Sequence, residues 1–302
     1  MSATPVLDTA KVDAAIEAGP RKYEGLRFAL RNRKLVVGAS IVLAFLLLAI
    51  IGPWLTEATP YQFGFPTAEA PNTTRWLGTT DTGQDVFSQF VYGLRATFIV
   101  GSIAALVGAG IGMAIGFTAG YRGGVVDELL MMFTNIILVI PVFAVLLIVA
   151  AYLPPSNRGY VSEALLIGAF SWPWVARATR AQTFSLATRE FVSLARLSGA
   201  RSWQIIVREI APNMSSYLFL TFILLFGGSV LTAATLDFLG LGPSRVMSLG
   251  LMLNTAVTNA ALQLGMWWWF IPPGLAVTIL VGALYVANVG LDEVFNPKLR
   301  ET

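Results

Sequence analysis

The sequence predicts an all-α, polytopic membrane protein with six transmembrane helices, and three observations carry that prediction. Hydrophobic residues make up 56% of the 302 and charged residues only 12%, with a mean hydropathy of +0.70. Soluble domains carry about 25% charge. The apolar residues fall in long uncharged runs, several of them reaching the roughly 20 residues that cross a bilayer. Those runs are evenly apolar rather than alternating, which excludes the strands of an outer-membrane barrel.

The residue inventory then removes whole classes of chemistry. The chain has no Cys and no His. Disulfides, thiol chemistry, Cys or His metal sites, Ser-His catalysis and histidine proton relays are excluded together. No GxxxxGK[ST] run occurs, so the chain carries no phosphate-binding loop of its own. No catalytic residue, metal site or bound cofactor is expected. The net charge of +3 is modest and nothing in it points to nucleic acid.

Taken in order, residues 1–34 form a cytoplasmic tail. Its end, Arg21 to Lys34, places Tyr23, Leu26 and Leu30 on one face among Arg27, Arg31, Arg33 and Lys34. This reads either as a basic interfacial helix or as an ordinary basic flank. The first span covers 35–56; it is too long, and its leader too extended, for a cleavable signal peptide. An extracytoplasmic loop follows over 57–93, rich in Pro, Gly, Thr and acids. The remaining five helices are expected within 94–290, and a polar cytoplasmic tail over 291–302.

Within the second span, Ala96 to Tyr121, Ala104, Gly108, Gly112, Gly116 and Gly120 recur four apart. Such a stripe lets another helix backbone approach closely in lipid. The third span runs from Leu129 to Tyr152, with a kink expected at Pro141. Asn135 within it is either a polar contact between helices or a residue of the transport path. The fourth span begins near Ala164 and runs past Arg177 and Arg180. The fifth is placed over 214–236, with Asp237 at its end, either solvated there or functional. A semi-polar loop covers 240–266, and the Trp267-Trp268-Trp269 interface opens the sixth span. Asp85 and Arg95 are candidates for an ion pair across the first loop.

Between the fourth and fifth spans lies the stretch Glu190 to Asn213. Phe191, Leu194, Ala195 and Ser198 share one helical spacing, and Trp203, Ile206, Val207 and Ile210 repeat it after Gly199. Two short amphipathic helices broken at a glycine are expected, with Pro212 closing the second. Lys and Arg concentrate in the N-terminal tail and between the fourth and fifth spans, as Arg177, Arg180, Arg189, Arg196, Arg201 and Arg208. By the positive-inside rule both termini and the helix pair face the cytoplasm.

Residues 190–213 resemble the EAA loop of binding-protein-dependent ABC importer permeases. Ser193-Leu194-Ala195 stands at the Glu-Ala-Ala position, keeping only its final alanine, and Gly199 and Pro212 stand at the motif's glycine and proline. Trp76-Leu77-Gly78-Thr79, Gly83 to Ser88 and Tyr92 to Arg95 resemble a block of the C-type permeases of dipeptide and oligopeptide importers. Gly120 to Gly124 with Asp127, Phe238 to Gly242, and Asn296 to Arg300 follow that family in order. The chain departs from it at Met132 and Asn135, where the family has Arg and Asp, and in the segment after Gly242.

The resemblance implies a type I ABC importer, MetI-like permease fold in the cell inner membrane. It implies a chain that forms half of the translocation path, with peptides as cargo or, as variations, oligosaccharides, glutathione or nickel chelates. It also implies partners: a second, homologous permease of the B type, two ATPase subunits or one two-domain ATPase, an extracytoplasmic substrate-binding protein, and membrane lipid. ATP and Mg would bind those ATPase partners. Glu190, Ser193, Leu194, Ala195, Gly199, Arg201, Trp203 and Pro212 are the candidate coupling residues. Gly108, Gly112, Gly116 and Gly120 are candidates for helix packing, and Asn135 and Asp237 for the path. An ion-gradient transporter would instead need mid-span charges and broken helices, and an intramembrane enzyme an acid pair; neither signature is evident in the sequence.

Overall fold

The computed structural model describes residues 29–243 and 246–295. The basic stretch from Arg21 lies outside the described residues up to position 28, as do Ser244, Arg245 and Asn296 to Arg300. Helix α1 (Arg33–Leu55) is apolar on every side, as a lipid-facing helix must be. Its first turn is capped by Asn32, whose Oδ1 accepts from the Leu35 N–H at 3.0 Å.

Helix α2 (Val86–Arg122) begins earlier than the apolar run suggests. Asp85 caps it, accepting from the Ser88 N–H at 2.8 Å, so the expected loop over 57–93 ends at residue 85. The cause is tertiary. Polar Ser88 and Gln89 bond back to the loop carbonyls of Ala58 and Pro60, which lets a polar sequence continue as helix. Asp85 also faces Arg75 at 3.8 Å, while Arg75 lies over the Phe65 ring. Arg95 plays no part in that pairing. Trp268 closes the loop from the far end of the chain, donating to the Thr79 carbonyl at 3.1 Å.

Gly123 and Gly124 turn the chain with φ of +66° and +55°, values that glycine adopts without strain. Helices α3 (Gly124–Val139) and α4 (Val142–Tyr152) follow, bent 75° from each other at Ile140-Pro141. Proline removes a helical hydrogen bond and its ring clashes with the preceding turn, and here the break is a sharp corner. The bend turns the expected third span into a broken one.

Helix α5 (Tyr160–Ala187) occupies the place of the fourth span. Its charges keep it below the apolarity of the other crossings. Among the described residues four helices are single apolar spans, α1, α2, α8 (Ser215–Phe238) and α10 (Trp267–Phe295), and α3–α4 is a fifth if counted as one. The loop before α10 holds a short helix, α9 (Leu249–Thr258), which Ser248 caps.

Helix α5 lies along α2 for most of its length. The reason is steric. A Cβ on Gly112 would sit 2.6 Å from the Val175 Cβ, one on Gly116 2.6 Å from the Thr179 Cβ, and one on Gly120 2.7 Å from the Thr183 Cβ. Gly108 meets Ser171 and the Gly168 carbonyl. The glycine stripe of α2 is thus met by small residues of α5 at the same four-residue spacing. Apolar cores flank this pair. One joins α1, α2, α8, α9 and α10 around Leu94, Met252, Trp269 and Leu280; another joins α2, α4, α5 and α8 around Leu146, Ile167 and Leu236.

Candidate functional site

The polar segment after α5 folds into two short helices at one end of the bundle. Helix α6 (Glu190–Leu197) starts at Arg189, whose extended backbone breaks it from α5. It ends in a glycine-type cap. Gly199 has φ +80°, its N–H reaches the Arg196 carbonyl, and the Ala200 N–H closes on the Ala195 carbonyl at 3.1 Å. Helix α7 (Ser202–Ile205) opens with Gln204 Oε1 accepting from the Arg201 N–H at 2.9 Å. It then widens into a π turn over Ile206–Ile210 and a last turn over Ala211–Asn213. The widened turn precedes Pro212, which cannot supply the next helical N–H.

A small apolar core seats the pair. Val192, Ile205, Ile210 and Met214 are buried against Phe117 and Tyr121 of α2 and Leu186 of α5. Arg196 adds a tie, donating to the Tyr121 hydroxyl at 3.3 Å with its guanidinium over that ring. The buried face is not the one that helical spacing alone suggests. Phe191 and Ala195 are partly buried, but Leu194, Leu197, Trp203 and Val207 stand 66%, 85%, 55% and 57% exposed. Spacing marks apolar faces without saying which is seated on the protein. Here one is seated and the other is open.

Seven of the eight candidate coupling residues are exposed. Glu190, Ser193, Leu194, Gly199, Arg201, Trp203 and Pro212 are exposed, and Ala195 is half-buried. Between the two helices runs a groove of about 400 Å³, bordered by Leu194, Ser198, Gln204, Arg208 and Glu209. It offers an apolar floor with one charge of each sign at its rim.

A second feature lies within the bundle. Asp127 and Arg180 pair through two hydrogen bonds, at 3.0 and 2.5 Å, and fasten α3 to α5. Two turns further along α3, the Arg177 guanidinium donates to Asn135 Oδ1 at 2.6 Å, and both residues are exposed. Next to this contact, a cleft of about 510 Å³ opens between the α3–α4 bend, α5, α8 and α10. Leu138, Val142, Phe170, Trp174, Thr232 and Tyr285 line it, with the Ser229 hydroxyl, buried and unpartnered, in its wall.

Asp237 does not border that cleft. At 3% exposure it faces Glu163, itself 7% exposed, at the end of the bundle opposite the helix pair. Among the described residues, both Glu163 oxygens and Asp237 Oδ1 are buried without a donor. Arg158, nearby, turns instead to the Leu153 and Ala151 carbonyls. Glu163 escapes notice in the sequence because it sits at the border of a short loop. Two lone acids at the same-side ends of neighbouring spans were the available signal. The bend at Pro141 falls where a kink is expected, though at 75° it is sharper than a kink; the acid pair is a feature that the uncharged runs do not reveal.

Comparison with known proteins places these features. Residues 112–301 match the family described as binding-protein-dependent transport system inner membrane component. The dipeptide transport system permease protein of Bacillus subtilis is 29% identical over 274 residues, covering 90% of this chain and 84% of the relative. The oligopeptide transport system permease protein of Mycobacterium bovis is 32% identical over 290 residues, 94% and 97% of the two chains. The glutathione transport system permease protein of Pectobacterium atrosepticum is 32% identical over 270 residues, 87% and 88% of the two. With the profile covering more than half of its length and relatives aligned nearly end to end, this all-α membrane protein belongs to the binding-protein-dependent inner-membrane components, the permease subunits of ABC importers.

Proposed function

We propose that this permease forms one half of the translocation path of an ATP-driven importer of di- and oligopeptides. The observation that carries the reading is the exposed face of the helix pair. Leu194, Leu197, Trp203 and Val207 stay open on an element that is itself seated by Val192, Ile205 and Ile210. Large apolar side chains grouped on a water-facing element mark an interaction site, and aromatic anchors such as Trp203 carry much of the energy in such sites. A chain without a phosphate-binding loop needs a partner to convert ATP. The helix pair is where separate ATPase subunits, holding ATP and Mg, would dock.

In this reading the helix pair and both termini face the cytoplasm. The loop over 56–85 and the segment around α9 face the other side and receive the substrate-binding protein. A second, B-type permease supplies the other half of the path. The cleft between the α3–α4 bend, α5, α8 and α10 is this chain's share of it. Nucleotide binding draws the ATPase subunits together, and the helix pair transmits that movement to α2 and α5, on which it is seated. The permease then moves between two discrete packings, biased by the difference in nucleotide affinity between them.

The test is reconstitution of the permease pair with its ATPase and binding protein in liposomes, with uptake of labelled peptides measured with and without ATP. ATP-dependent uptake is expected. A chain that isolates without an ATPase subunit, with uptake that persists after ATP depletion, would refute the reading. Uptake of an oligosaccharide or nickel chelate in place of peptides would keep the importer and change the cargo. In the same system Gly199→Pro should leave insertion intact and uncouple hydrolysis from uptake, because proline cannot adopt φ +80°. Normal uptake by that variant would argue against the docking role.

A further inference from the structure

Arg177 and Asn135 occupy an unusual position. Asn135 lies 11 residues beyond Gly124, the first residue of α3. The apolar run of this span opens only at Leu129, six residues before Asn135, so at 1.5 Å per residue Asn135 stands about 9 Å into it, within a hydrocarbon core of roughly 30 Å. Charged side chains at such depth do not face lipid; they face a water-filled passage or another polar group. Arg177 is exposed and, among the described residues, makes one hydrogen bond, to a neutral amide. Among the described residues no carboxylate lies within ion-pair distance of it. Its neighbour one turn on, Arg180, shows the contrast, since Asp127 satisfies that charge with two bonds.

The surroundings point to a ligand. Trp174 is three residues before Arg177 and Leu138 three after Asn135, so each lies on the same helix face as its partner in the contact. Both line the 510 Å³ cleft, whose wall also carries Ser229, Thr232 and Tyr285. The cleft is therefore apolar and aromatic, with hydroxyls along it, and the Arg177–Asn135 contact lies one helical turn beyond its lining residues Trp174 and Leu138. Asn135 holds the guanidinium by one donor and leaves the others free. A planar guanidinium with free donors matches a carboxylate in geometry as well as charge.

We infer that Arg177, positioned by Asn135, is the station of the transport path that takes the carboxylate of the cargo. The inference rests on the peptide-import reading above and goes beyond it by naming the group recognised and the residue that recognises it. The C-terminal carboxylate of a short peptide would meet Arg177 while its body lies along Trp174, Phe170 and Tyr285. The Arg177 interaction gives free-acid cargo an advantage over the same cargo with its carboxylate blocked. Blocking the carboxylate removes a charge-assisted hydrogen bond to the guanidinium, so the advantage of the free acid should be about tenfold or more.

The experiment uses the complete reconstituted complex with two probes, trialanine and trialaninamide. The readout is the ratio of their ATP-dependent uptake rates at one fixed set of conditions. The same binding protein serves all variants, so its own preference cancels when ratios are compared. Relative to wild type, the acid-to-amide ratio should fall about tenfold in Arg177→Gln, which keeps a donor for Asn135 but loses the charge. It should be largely retained in Arg177→Lys. In Asn135→Ala, which keeps the charge and removes its tether, the fall should be smaller. A ratio unchanged in Arg177→Gln overturns the inference, as does failure of both Arg177 variants to assemble with the second permease. Uptake of neither probe by the wild type removes the peptide reading, and the inference with it, and is distinguishable because it appears before any variant is compared.

Discussion

Gly116 shows how a single residue sets the spacing of two helices. A Cβ there would lie 2.6 Å from both the Ala176 carbonyl oxygen and the Thr179 Cβ, so neither backbone nor side chain has room to yield. Gly116→Leu should destabilise the permease by about 1–3 kcal/mol through overpacking. The thermal midpoint of the purified complex would report it, and an unchanged midpoint would show that α2 and α5 do not depend on this contact. Glu163 is a different case, a buried side chain whose polar neighbour is another acid, Asp237. Two carboxylates facing each other in a dry site cannot both carry charge without a large penalty. Glu163→Gln keeps the shape and supplies a donor to Asp237, so it should stabilise by about 1 kcal/mol. A loss of similar size would mean that the Glu163 carboxylate holds a ligand or partner that the amide cannot.

Among the elements, α5 was the hardest to read from sequence and the helix pair the easiest to place. The runs that became α1, α8 and α10 are evenly apolar, and solvent preference alone identifies them. Helix α5 carries Arg177 and Arg180, which break its apolar run; Asp127, far off in sequence, neutralises Arg180, and Asn135 holds Arg177 by one hydrogen bond without neutralising it. No periodicity within α5 encodes that compensation. The start of α2 was hidden for a similar reason, since Ser88 and Gln89 find their partners in the loop. For the helix pair, Gly199 and Pro212 announce the break and the end, but not the π turn between Ile206 and Ile210 or the choice of buried face. That choice yields a prediction at this scale. Trp203→Ala should weaken retention of the ATPase subunit by about tenfold or more while the pair stays folded on Val192 and Ile205. Co-purification at wild-type stoichiometry and affinity would place the docking surface elsewhere.

For the molecule as a whole, the arrangement of interfaces says which parts move together. Helices α2 and α5 are zipped by glycines and small residues, and α3 is pinned to α5 by Asp127 and Arg180. On the other side, α1 lies along α10, where Glu293 accepts from Asn32 at 2.7 Å and pairs with Lys34. The cleft opens between the α3–α4 corner, α5, α8 and α10, beyond the apolar core that joins α4, α5 and α8, and Ser229, Thr232 and Tyr285 give it a polar lining. If transport works by rocking packed units against one another, a bridge within a unit should be harmless and a bridge across the cleft should not. The absence of native cysteine makes this directly testable with introduced pairs. Joining Asn32→Cys to Glu293→Cys with a bifunctional thiol reagent should leave ATP-dependent uptake near its unlinked rate. Joining Trp174→Cys to Thr232→Cys, across the cleft, should abolish uptake in the linked fraction and restore it on cleavage of the linker. Full uptake with the cross-cleft link complete would mean that cargo passes, and the permease moves, along another face.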